Sequence, residues 1–73
     1  MTEQETADLA KRYPILRYFD NKHLPEALRE VSEPFRLISW MMARDLPYNP
    51  ETSTCLRKLL EAKDCAVRAA LDE

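Results

Sequence analysis

DLPYNPE, residues 45–51, decides how this chain folds. Asp45-Leu46-Pro47-Tyr48 closes whatever helix precedes it, because proline disfavours helical backbone in the residue before it. Asn49-Pro50-Glu51 then opens a new helix with a capping side chain, a proline at the first position and an acid near the positive end of the helix. A connection this short makes its two flanking helices antiparallel neighbours. The fold class read from it is all-α: an antiparallel helical hairpin with a short N-terminal helix and arm.

Upstream of the turn, the apolar residues Leu24, Leu28, Val31, Phe35, Ile38 and Met42 recur in alternating steps of four and three. This spacing predicts a narrow helical seam of coiled-coil type. Pro34 interrupts it, and an interior proline costs about 3 kcal/mol in a helix. Ser32 could cap a new helix there, but the seam runs on across Pro34, so one bent helix is preferred over two. Downstream, the last helix is expected from about 50 to 72. Thr2 and Glu5 form a capping-box pattern that predicts a first helix over 3–12, ending before Pro14. The chain divides into an N-terminal helix and arm, 1–23, and a hairpin, 24–73, within a single domain.

A chain of 73 residues is short of core and usually needs disulfides, a metal or a partner chain. Cys55 and Cys65 lie in one predicted helix, about 15 Å apart along its axis, and cannot bridge each other. One histidine and two separated cysteines make no zinc site, so neither metal nor cofactor is expected. A partner chain remains. Leu37, Trp40 and Met41 lie off the first seam and Ala62, Ala66 and Ala70 flank the last helix, more apolar surface than Ile15, Leu16 and Phe19 of the arm can cover. An oligomer is expected. The net charge of −2 gives no general pull toward nucleic acid, acids interrupt every basic stripe, and no DNA partner is expected. No signal-peptide pattern and no apolar run of about 18 residues occur, which points to a cytoplasmic protein off the membrane.

Arg29, Ser32, Arg36 and Ser39 follow one another at helical spacing, a ladder of guanidinium and hydroxyl groups suited to phosphate. The plainer reading is a solvated face with Arg29 paired to Glu33. Tyr18, Phe19 and His23 cluster in the arm, where a ring beside cations can stack a nucleobase, although the plainer reading makes Phe19 core and Tyr18 a rim residue. Arg57, Glu61, Asp64 and Arg68 alternate in sign along one stripe and read as a salt-laced face, with Arg68 kept as a candidate ligand contact. Lys63 sits among Leu56, Leu60 and Val67. Either its stem covers them while the ammonium reaches water, or the ammonium meets an anion or carboxylate at an interface. No nucleophile, base and acid stand in a recognisable arrangement, and no enzyme is expected.

The blocks YFDNKHLPEALREVSEPFRLISWMM and LPYNPETSTCLRKLLEAKDCAVRAAL resemble a group of short bacteriophage proteins over residues 18–71. That group shares an aromatic arm, HLP, a helix with VS-x-P-F, an NPE turn and LRKLLEAKD-x-AVRA. More distantly it resembles the hairpin domain of the phage anti-CBASS cyclic-nucleotide sponges. The resemblance implies compact hexamers of helical hairpins that sequester cyclic oligonucleotides without degrading them and so silence host signalling. It implies an arm tyrosine that stacks on a base, for which Tyr18 is nearest, and a lysine that meets phosphate. The lysine's position falls close to Ser32, so Arg29 or Arg36 would have to take its part. A non-catalytic oligomeric adaptor is the alternative.

Overall fold

The computed structural model describes residues 1–72, and among these it contains helices and turns but no strand. Helix α1 spans Glu3–Arg12, a 3-10 segment spans Pro14–Phe19, α2 spans Glu26–Asp45 and α3 spans Pro50–Leu71. Helix α1 starts on the expected capping box: the Thr2 hydroxyl accepts from the Glu5 amide at 3.1 Å, and the Glu5 carboxylate accepts from the Thr2 amide at 3.4 Å. Helix α3 starts on Asn49, whose side-chain oxygen accepts from the Thr52 amide at 3.0 Å. The Thr52 hydroxyl is buried and donates to the Pro47 carbonyl at 2.6 Å, so turn and helix start are one bonded unit. A cap of this kind is worth about 1 kcal/mol.

Helix α2 runs unbroken through Pro34. Pro34 and Glu30 are both exposed, so the Glu30 carbonyl that loses its helical donor lies on the solvent side, where water can serve it. The helix begins at Glu26, two residues after the start of the seam, because Pro25 holds Leu24 out of helical backbone. The 3-10 segment is an element that the periodicity does not reveal. Pro14 pre-sets its first turn, and the Leu16 amide donates to the Tyr13 carbonyl at 3.0 Å.

The core gathers Tyr13, Leu16 and Phe19 from around the 3-10 segment with Ala43 of α2 and Leu56 of α3. Phe19 and Leu56 are 0% exposed. Each such side chain contributes about 1.5–3 kcal/mol by leaving water. Leu9, Phe35, Trp40, Met42 and Leu60 pack around this centre half-buried. Helices α2 and α3 form the most extensive contact, and the 3-10 segment touches α1, α2 and α3. Tyr48 holds the α2–α3 turn to the chain's N-terminal part: its ring meets Tyr13 edge-on at 5.5 Å, and Arg12 lies over it at 5.3 Å.

The buried side of α2 is not centred on the expected seam. Leu24, Leu28, Val31, Phe35 and Met42 are only half-buried and Ile38 is exposed, while Ser32, Ser39 and Ala43 are fully enclosed. Leu16 and Phe19 carry the bulk of the interior, and small α2 residues make room for them. Both thiols are free, Cys55 half-buried and Cys65 exposed. No helix among the described residues is long and apolar enough to cross a membrane.

Candidate functional site

The 3-10 segment ends against α3, and a groove of about 420 Å³ opens beside that contact. Tyr18, His23, Lys63 and Arg68 line it, four residues singled out from sequence and drawn from two distant stretches of chain. Phe19 points the other way, into the core, so Tyr18 is the arm's stacking candidate. Tyr18 is 52% exposed as a residue, and Arg17 steadies its ring: the guanidinium carbon lies 4.9 Å from the ring centre, and Nη2 donates to the Tyr18 hydroxyl at 2.9 Å. Such a pair fixes a ring that remains partly exposed.

Lys63 belongs to this groove and not to a bare apolar stripe. Its Nζ donates to the Tyr18 carbonyl at 3.0 Å and lies 3.3 Å from Oδ1 of Asp64. The Lys63 side chain is 13% exposed, so it neither snorkels freely nor waits unpaired for an interface. One turn on, Arg68 Nη2 donates to the Cys65 sulfur at 3.3 Å. Arg17, Lys63 and Arg68 face Asp20 and Asp64 here, three cations against two carboxylates. Leu24, Leu60 and Val67 add apolar wall. Planar apolar contact, an exposed ring and a modest excess of cations suit a small anion with a flat ring system.

The ladder on α2 does not survive as a face. Ser32 and Ser39 are 0% exposed, while Arg29 is exposed. The Ser39 hydroxyl donates back to the Arg36 carbonyl at 2.8 Å, and the Ser32 hydroxyl is enclosed without a hydrogen-bond partner among the described residues. Glu33 pairs with Arg36 and not with Arg29. The carboxylate takes two bonds from that guanidinium, at 2.7 and 2.6 Å, and a third from the Asn21 amide at 2.7 Å. An acid placed N-terminal to its base follows the helix dipole, which favours Glu33–Arg36 over Arg29–Glu33. The bonds from Arg36 and Asn21 hold the Glu33 carboxyl down at about 2. Arg36 instead lines a second, larger cleft of about 830 Å³ with Leu37, Trp40 and Met41, and Arg17 and Asp20 border both cleft and groove.

Sequence reasoning passed over Arg17, and it read Asp64 only as part of a salt-laced stripe and not as the partner of Lys63. The first could have been suspected from its place beside an arm tyrosine. The second could not, since nothing in the sequence says which partner Lys63 takes. Among the described residues no three His, Cys, Asp or Glu side chains converge as a metal site. No family model, curated protein or solved structure matches this chain.

Proposed function

We propose that this protein binds cyclic oligonucleotide second messengers and sequesters them unchanged, as the resemblance to the phage sponges implies, with the groove between the 3-10 segment and α3 as its half of the site. The carrying observation is that Tyr18, His23, Lys63 and Arg68 line one groove. The Tyr18 ring offers a stacking face worth about 1–3 kcal/mol per base, and the cations offer charge-assisted bonds to a phosphodiester. A cyclic dinucleotide carries two bases and two phosphates, whereas one groove offers one open ring. Two copies of the site, brought together in an oligomer, answer that ligand.

Assembly is part of the proposal: α2 and α3 form an antiparallel hairpin, and hairpins associate through the outer face of α2, a hexamer being the state the resemblance implies. Leu37, Ile38 and Met41 on that face support it, because exposed apolar side chains clustered on one helix mark interaction surfaces. The setting is the cytoplasm of a bacterial host, where the sponge lowers the signal available to immune effectors. No bond is made or broken.

Titration calorimetry with a panel of cyclic di- and trinucleotides, and linear dinucleotides as controls, tests this reading. Binding is expected for a cyclic member, with the nucleotide recovered intact after denaturation, and Tyr18→Ala is expected to lose about 1–3 kcal/mol. Absence of binding across the panel would overturn the reading. The same outer face of α2 also favours a second reading, an oligomeric adaptor for a host protein; it would gain if the protein assembles yet binds no nucleotide.

A further inference from the structure

Lys63 and Tyr18 are 45 residues apart, yet one hydrogen bond joins the α3 ammonium to the arm backbone. The Tyr18 carbonyl stands at the end of the 3-10 segment, where carbonyls run out of helical donors. The next residue, Phe19, is fully buried. Backbone at Tyr18 is therefore held from two directions, by the core through Phe19 and by α3 through Lys63, while the ring between them stays open.

The ammonium has three N–H groups; one donates to the Tyr18 carbonyl and Asp64 lies within ion-pair distance at 3.3 Å, so donor capacity remains. The Lys63 side chain, 13% exposed beside Leu60 and Val67, borders the groove, so an anion bound there can reach its ammonium.

We propose that Lys63 is the positioning residue of the groove: it pins the Tyr18 backbone to α3 and offers a further N–H to an incoming phosphate. One side chain then sets the separation between the stacking ring and the charge. The phosphate half rests on the nucleotide reading above; the pinning half stands on the geometry alone.

Two measurements on Lys63→Met read these halves separately. Hydrogen exchange without ligand is expected to quicken about tenfold at the amides of residues 18–22, as local opening becomes easier, and to stay unchanged around Leu56. Calorimetric titration with 3′,3′-cyclic di-AMP and cyclic tri-AMP is expected to show an affinity about tenfold weaker for whichever nucleotide the native protein binds. Lys63→Arg, which keeps charge and donors, is expected to restore both. Lys63→Gln replaces Lys63→Met if that chain fails to fold. Unchanged local exchange would overturn the pin. Faster exchange with affinity held within about twofold would overturn the phosphate contact. If the native protein binds no member of the panel of cyclic di- and trinucleotides above, the nucleotide reading and the phosphate half fail together, and exchange alone still decides the pin.

Discussion

On the side of α2 turned to the rest of the chain, the enclosed residues are Ser32, Ser39 and Ala43; on the opposite side Leu37, Ile38 and Met41 remain 51%, 40% and 46% exposed. The helix thus hides its small residues and shows several of its large ones. The bulk inside comes from elsewhere, from Leu16 and Phe19 of the 3-10 segment and Leu56 of α3. Small residues on the inner line let those side chains seat against the α2 backbone, as close packing demands. The outer line has no such guest within the chain. The inner side is organised around an intramolecular fit, and the outer side has the chemistry of a surface still to be covered.

The comparison breaks most sharply at Phe19. Phe19→Ala empties the centre of the inner side and is expected to destabilise by about 3–5 kcal/mol, enough to unfold much of a chain this small. A urea melt would show it; a loss under about 1 kcal/mol would mean that the 3-10 segment does not carry the interior.

Adding bulk should separate the two sides. Ser39→Leu forces a large side chain into the close-packed line and is expected to cost about 1–3 kcal/mol. The double variant Leu37→Ser, Met41→Ser on the outer side is expected to stay within about 0.5 kcal/mol per site at protein concentrations where the chain is monomeric. At higher concentration it is expected to reduce the mass measured by light scattering. Equal costs on both sides, with no change in mass, would remove the distinction.

The smallest effect concerns the edge between the sides, where Glu33 ties α2 to Asn21. Its folded carboxyl lies at about 2, below the ordinary value of 4.5, because Arg36 and Asn21 donate to the ionised form. A depressed carboxyl favours the folded state fully above pH 4.5, and that gain is lost as the pH falls toward 2. The pair is more than a third exposed, which keeps the gain small. Glu33→Gln is expected to flatten the acid limb of the stability profile over that window and to change little at pH 7. An unaltered acid limb would assign acid sensitivity to other carboxylates.

These contrasts also mark where the sequence could be read. Thr2 with Glu5, and Asn49 with Pro50, act on backbone groups three residues away, and the structure has both caps. The path of α2 through Pro34 was legible because apolar periodicity on both sides kept one phase. Rotation of α2 about its own axis was not legible, since it depends on Phe19, which comes from outside the helix. Serine made this harder: Ser39 can satisfy its hydroxyl on its own helix and so be buried at little cost, which composition cannot distinguish from a surface serine. In the groove, the candidate types at Tyr18, His23, Lys63 and Arg68 were readable, but their meeting was not, because it follows from docking of the 3-10 segment on α3. Arg36 went elsewhere because two arginines competed for Glu33 and geometry chose one.

The chain makes its turns without glycine, and no described residue adopts positive φ. Its bends use proline at positions that suit it: Pro14 and Pro50 at the starts of the 3-10 segment and α3, and Pro25 at the entry to α2. The effect is felt before folding begins. A chain rich in proline and free of glycine samples fewer conformations when unfolded, and each compatible proline favours the folded state by about 0.4–1 kcal/mol without a single added contact. For a protein whose core is a handful of side chains, part of its stability resides in the ensemble it leaves behind.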